Sequence, residues 1–249
     1  MSINYKDDTS YKYRWNQKEL LGKILSGTLD EDLCISNLKI DSVPQLYWKS
    51  NPIFTGACFA NKHKLSLGIE IGDFNAPQDL IGAIFQSSKN IKEVLLDINY
   101  TGHLEMIRQS LVATCRYAAD IKKIEVRFSD NVQLSNVSSM CYSANSLTTV
   151  VFRSSRTLLL SADSFISHFV DTLVFDSPYV ANLGNPDSMG SDAFKSGGTG
   201  GTIYIPKSLY DHLGDESEYD YKASTNWSAV DARGTITWAQ IEGSEYELT

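Results

Sequence analysis

Four segments of one pattern decide how this chain folds: Ile84–Leu96, IFQSSKNIKEVLL; Thr114–Val126, TCRYAADIKKIEV; Met140–Phe152, MCYSANSLTTVVF; and Asp163–Phe175, DSFISHFVDTLVF. With Phe85, Cys115, Cys141 and Ser164 as position zero, apolar residues return at plus six (Ile91, Ile121, Leu147, Val170) and plus nine (Val94, Ile124, Val150, Leu173). They return again at plus eleven, as Leu96, Val126, Phe152 and Phe175. Fixed offsets inside repeats of unequal length mark a solenoid, in which each unit buries its apolar face against its neighbours. Working outward, Cys58 opens an earlier copy and Phe194 a later one, which gives repeat lengths of 27, 30, 26, 23 and 30. The variation therefore falls in the connections, where a stacked chain tolerates it.

The offsets predict strands. Val94, Ile124, Val150, Leu173 and Ile203 form one inward column, and Leu96, Val126, Phe152, Phe175 and Ile205 a second. Counted from Cys58, plus nine is Leu67 and plus eleven is Ile69, so Leu65 to Ile71 is a strand of alternating burial. Leu33-Cys34-Ile35 is compatible with a strand, and Thr202 to Ile205 is the strand of the last repeat. In the longest connection, His103 to Ala119, the three-to-four spacing of Leu104, Ile107, Leu111 and Cys115 predicts a helix. Near the start, Asn16 caps a helix with Glu19 reaching back to it, Leu20, Leu21, Ile24 and Leu25 form its apolar face, and Gly27 ends it. The fold class is thus α/β: a leucine-rich-repeat solenoid with short strands in one parallel sheet and short helices or turns on the other side. Residues 1–56 form an N-terminal arm and capping helix, 57–206 the solenoid, and 207–249 a C-terminal cap and tail, in one continuous unit.

A formal charge of −8 opposes a phosphate-binding surface and so excludes nucleic acid as the expected partner. No stretch reaches the roughly 20 apolar residues of a membrane helix, and Met1-Ser-Ile-Asn-Tyr-Lys lacks the basic start and apolar run of a secretory signal. Four cysteines are compatible with two disulfides, but Cys58, Cys115 and Cys141 share position zero with Phe85 and Phe194, which reads as small buried hydrophobes. No C-x-x-C pair is present to hold zinc. His63, His103, His168 and His212 are scattered without metal-ligand spacing, and there is no G-x-S-x-G elbow. The glycines at 197, 198, 200 and 201 lack the lysine of a phosphate loop and precede a strand, and the acidic run 215–220 lacks the glycine and spacing of a calcium loop. We expect no catalytic residue, no metal and no cofactor.

The phrase formed by Ile84-Phe85 with Ser88 and Ile91, Met140-Cys141 with Ala144 and Leu147, and Ala193-Phe194 with Gly197 resembles the leucine-rich repeats of the BspA-like surface-protein family. The end is similar too: Ile203-Tyr204-Ile205-Pro206-Lys207, followed by Tyr221-Lys222 and Asn226-Trp227-Ser228. The family's usual cysteine at plus three is replaced here by Asn61, Ser88, Ala118, Ala144, Ser167 and Gly197. The resemblance, over about residues 57–235, implies an adhesion or virion protein, since such arrays occur in secreted adhesins and in bacteriophage particles. A polar start after Met1 favours the virion, assembled in a host cytoplasm; a cell-surface or secreted adhesin is the alternative, and a carbohydrate-binding module using Tyr204, Tyr210 and Trp227 a third.

Residues between the inward columns face outward. At plus eight these are Glu93, Lys123, Thr149, Thr172 and Thr202; at plus ten, Leu95, Glu125, Val151, Val174 and Tyr204; at plus twelve, Asp97, Arg127, Arg153 and Asp176. The apolar plus-ten column, with Arg127 and Arg153 beside it, is the expected partner-binding stripe. On that reading Val151→Asp and Val174→Asp weaken partner binding or self-assembly and leave thermal stability nearly unchanged; the expected partners are other proteins, virion components or a host surface, with a surface glycan as a further candidate. The aromatic start, with Tyr5, Tyr11, Tyr13 and Trp15, is an anchor for a homo-oligomer.

Overall fold

In a computed structural model of the chain, the described residues are 33–40, 58–159 apart from 77, 79, 83 and 138, 170–181, 201–212 and 237–248. The expected Asn16 helix, the aromatic residues 5–15, Ser164, Phe194, the glycine run before 201 and Trp227 lie outside them. The strands are β1 (Leu33–Ile40), β2 (Cys58–Ile71), β3 (Lys89–Tyr100), β4 (Ile107–Ser110), β5 (Lys123–Phe128) and β6 (Val132–Asn136). They continue with β7 (Thr149–Ser154), β8 (Leu158–Leu159), β9 (Thr172–Asp176), β10 (Val180–Ala181), β11 (Thr202–Ile205) and β12 (Thr237–Gln240). A single helical turn, α1 (Lys207–Tyr210), follows β11.

The main sheet has eight strands in the order β1-β2-β3-β5-β7-β9-β11-β12, and every pairing in it is parallel. On the far side β4 pairs with β6 and β8 with β10, again in parallel, and β6 touches β8. The described residues form a parallel β-solenoid with little helix among them, and its sheet takes in β1 and β12 beyond the repeats. The predicted columns form: Val94, Ile124, Val150, Leu173 and Ile203 are consecutive register partners. All five are buried, as are Leu96, Val126, Phe152, Phe175 and Ile205 in the next column. Phe152 and Phe175 stack with centroids 5.8 Å apart and planes 15° from parallel. Each such side chain stabilises by roughly 1.5–3 kcal/mol before its lost rotamer entropy is set against it.

Two expectations are corrected. The first is the helix over His103 to Ala119: Ile107–Ser110 is strand β4, and 112–117 is a run of turns. Ile107, Leu111 and Cys115 do face the core, but Leu104 is 48% exposed. Left-handed backbone at Ala113 (φ 54°) and Tyr117 (φ 60°) breaks any helix there. Successive β-turns reproduce the apolar spacing instead, closed by Thr114 N to Leu111 O, Arg116 N to Ala113 O and Ala118 N to Cys115 O, at 3.2, 3.1 and 3.0 Å.

The second correction is the register of the first repeat. Leu65 pairs with Val94 and Leu67 with Leu96, two residues earlier than counting from Cys58 predicts. Cys58 lies within β2, opposite Lys89, and not at position zero. A two-residue slip leaves every side chain on the same face, so burial patterning does not reveal it.

At position zero the turns stack as a third ladder. Phe85 N donates to Thr114 O, Cys115 N to Met140 O and Tyr117 N to Tyr142 O, each at 2.8 Å. Phe85, Cys115 and Cys141 are buried, and both of these cysteines are free thiols. Burial raises both thiols, that of Cys141 to about 12.

Candidate binding face

The outward residues align across strands as the offsets require. Leu95, Glu125, Val151 and Val174 are successive register partners, and Tyr204 follows Val174. Asp97, Arg127, Arg153 and Asp176 run parallel to them. Position in register does not make the stripe uniform, however, and the face divides into two surfaces.

On the β7–β9–β11 side the expected exposure is overturned. Val151 and Val174 are each 0% exposed, because Ile241 and Tyr246 from the segment after β12 lie on them, with Tyr204 packed alongside. The rings of Tyr204 and Tyr246 meet edge to face at 4.8 Å. Burial and the Glu245 carboxylate raise the Tyr246 phenol, while a side-chain hydrogen bond with Thr172 pulls the other way. The ring also lies 5.9 Å from Lys123 Nζ.

Arg153 fixes this cover. Its Nε donates to Glu125 Oε1 at 2.9 Å, its Nη1 to Asp176 Oδ2 at 2.8 Å and its Nη2 to the Tyr246 carbonyl at 2.8 Å. Glu125 also accepts from Arg127 Nε at 2.8 Å, and Asp97 lies 4.0 Å from that nitrogen. Acid and base thus alternate along Asp97, Arg127, Glu125, Arg153 and Asp176. Burial alone would raise the Glu125 carboxyl, but hydrogen bonds from Arg153 and Arg127 outweigh it and hold the group below the usual glutamate range. For Asp97 burial wins: its carboxyl is raised, with Arg127 offsetting part of the effect and Glu125 adding to it.

On the β2–β3–β5 side none of the described residues covers the face. Leu95 and the strand around it floor a depression of about 130 Å³, bounded by Lys64, Glu93, Lys123 and Glu125. Lys64 Nζ and Glu93 Oε2 are 2.8 Å apart, with 35% and 43% of their side chains exposed. Lys123, 3.9 Å from Glu125, separates this depression from the Tyr246 cover. Of the sequence-predicted stripe, Leu95 is half-buried beside the depression, Glu125 and Arg153 are buried ion-pair partners, Arg127 is partly exposed, and Val151, Val174 and Tyr204 belong to the covered part.

A further cluster sits on the position-zero corner, and the offsets give no sign of it. The Arg116 guanidinium lies 4.9 Å from the Tyr117 ring centroid and 5.1 Å from that of Tyr142, and the two rings meet edge to face. His103 Nδ1 is 2.5 Å from Asp73 Oδ1 in an exposed pair. Among the described residues no three His, Cys, Asp or Glu side chains gather as a metal-binding group, and no described helix is long and apolar enough to cross a membrane. Tyr204 is engaged by Tyr246, and Tyr210 lies on α1. No protein-family model, no curated protein and no solved structure matches the chain.

Proposed function

We propose that the chain is a non-enzymatic binding scaffold that holds another protein on the open part of its outer sheet face, around Leu95. One observation carries this reading: the chain covers the apolar side chains Val151 and Val174 with its own C-terminal segment, while Leu95, in the same column, lies in a charged depression. A partly buried apolar floor ringed by paired charges suits a protein partner, whose apolar anchor meets the floor while polar groups meet the rim. Lys64, Glu93 and Lys123 supply that rim. The resemblance to BspA-like repeats supports the same class of work and adds a setting, a bacteriophage particle or a cell surface.

The test compares the immobilised full chain with its Leu95→Asp/Lys123→Glu variant in extract from the source organism. Proteins retained by the parent and lost by the variant, identified by mass spectrometry, support the reading; identical retention by both contradicts it. Genes for capsid, portal or tail proteins beside this one support the virion setting.

A further inference from the structure

We propose that the residue a partner sets on Leu95 is its C-terminal one: an aliphatic side chain whose own α-carboxylate is received by Lys123 Nζ. This rests on the reading that Leu95 marks the partner face, and it names what the partner brings there. The rim of the depression is built by strand register. Lys64, Glu93 and Lys123 are successive partners across β2, β3 and β5, and Leu95 and Glu125 are partners two residues further along the strands. The charges on that rim are not equally engaged. Lys64 Nζ and Glu93 Oε2 hold each other at 2.8 Å. Glu125 turns Oε1 to two guanidinium groups, accepting from Arg153 Nε at 2.9 Å and from Arg127 Nε at 2.8 Å. Its Oε2 stands 3.9 Å from Lys123 Nζ, beyond hydrogen-bond reach. On the other side the centroid of the Tyr246 ring is 5.9 Å from the same nitrogen. Among the described residues, then, Lys123 Nζ makes no hydrogen bond, although an ammonium has three protons to give.

The complementary ligand is apolar below and anionic at one side. A cavity of about 150 Å³ takes a benzene-sized group, so the depression of about 130 Å³ over Leu95 suits a single aliphatic side chain. A terminal residue meets both demands at once, because it carries its carboxylate on the same Cα as that side chain. An internal aspartate or glutamate would bring a second side chain and a second exit for the backbone into the same space. Capture of a chain end by its charge is a general mode of peptide recognition. The Lys64–Glu93 pair closes the far side of the rim with its charges already matched, which leaves Lys123 as the cation that selects.

The test uses the full chain and three peptide probes, followed through the assigned Leu95 methyl signals. The probes are acetyl-Gly-Gly-Leu with a free carboxylate, the same peptide as its amide, and acetyl-Gly-Asp-Leu amide, which moves the charge to the preceding side chain. The free acid binds about 3–5-fold tighter than its amide, the yield of a partly exposed ion pair, and the gap closes as salt is raised to about 1 M. Lys123→Gln weakens the acid to the level of the amide and leaves the amide unchanged, a split that a merely structural loss does not produce. Equal affinity of acid and amide on the parent chain overturns the proposal and leaves the Leu95 face standing. An aspartyl amide that binds as tightly as the free acid overturns it in favour of an internal acid. Silence of all three probes at Leu95 also overturns it, and retention of proteins from extract then decides separately whether the face binds a partner. Should Lys123→Gln fail to fold, the acid-against-amide comparison and its salt dependence on the parent chain decide alone.

Discussion

Arg153 joins three pieces of the molecule: Glu125 on β5 and Asp176 on β9, the strands on either side of its own β7, and the Tyr246 carbonyl in the C-terminal segment, residues 237–248. Removing the guanidinium leaves Glu125 hydrogen-bonded to Arg127 alone and takes the donor from the Tyr246 carbonyl, so Arg153→Ala lowers stability by about 1–3 kcal/mol, read as a reduced urea midpoint. Lysine does not restore the loss, because one ammonium cannot reproduce the fork that reaches three acceptors. Glu125 contributes a pH dependence of definite sign. Its carboxyl is held below the unfolded value, so the stabilisation is fully present above about pH 4.3 and is lost as pH falls through the depressed folded value. Urea titrations of the parent and of Glu125→Gln therefore differ most near neutrality and converge in acid. The raised Asp97 carboxyl works in the opposite sense, favouring the fold when protonated. The offsets place these charges in one row from sequence alone. They do not show that the row anchors a segment from the far end of the chain, since no periodicity links Tyr246 to Arg153.

The strands of the main sheet are the most legible elements, because inside and outside alternate strictly along them and each column repeats from strand to strand. Within them Phe152 stacks on Phe175, and Phe152→Ala costs about 3–5 kcal/mol through the cavity it leaves, measurable by chemical denaturation. The opposite layer is less legible. β4, β6, β8 and β10 are two to five residues long, and the turns between them space apolar residues much as a helix would. Position zero, by contrast, reads correctly at Cys115 and Cys141. Both thiols are buried and raised, that of Cys141 to about 12, so neither ionises near neutral pH. A maleimide added at about pH 8 leaves both unlabelled in the folded chain and labels both after unfolding, as peptide-resolved mass spectrometry reports.

At the scale of the whole molecule each turn of the solenoid touches chiefly the turns beside it, so stability passes from neighbour to neighbour along the stack. The outer face does not share that uniformity. Three register partners in sequence, Glu125, Val151 and Val174, are buried by an ion-pair network and the C-terminal segment, while Leu95 beside them borders a depression that no described residue covers. Reading the repeat gives the column, and long-range docking decides which part of it meets solvent. The sharpest test of this division is a pair of thermal melts, on Leu95→Asp and on Val174→Asp. Leu95→Asp shifts Tm by no more than about 2 °C, while Val174→Asp, which expels the C-terminal segment at a cost of about 2–3 kcal/mol, lowers Tm by roughly 5–10 °C. Equal shifts, or a larger one for Leu95→Asp, would contradict a face that is open at one end and sealed at the other.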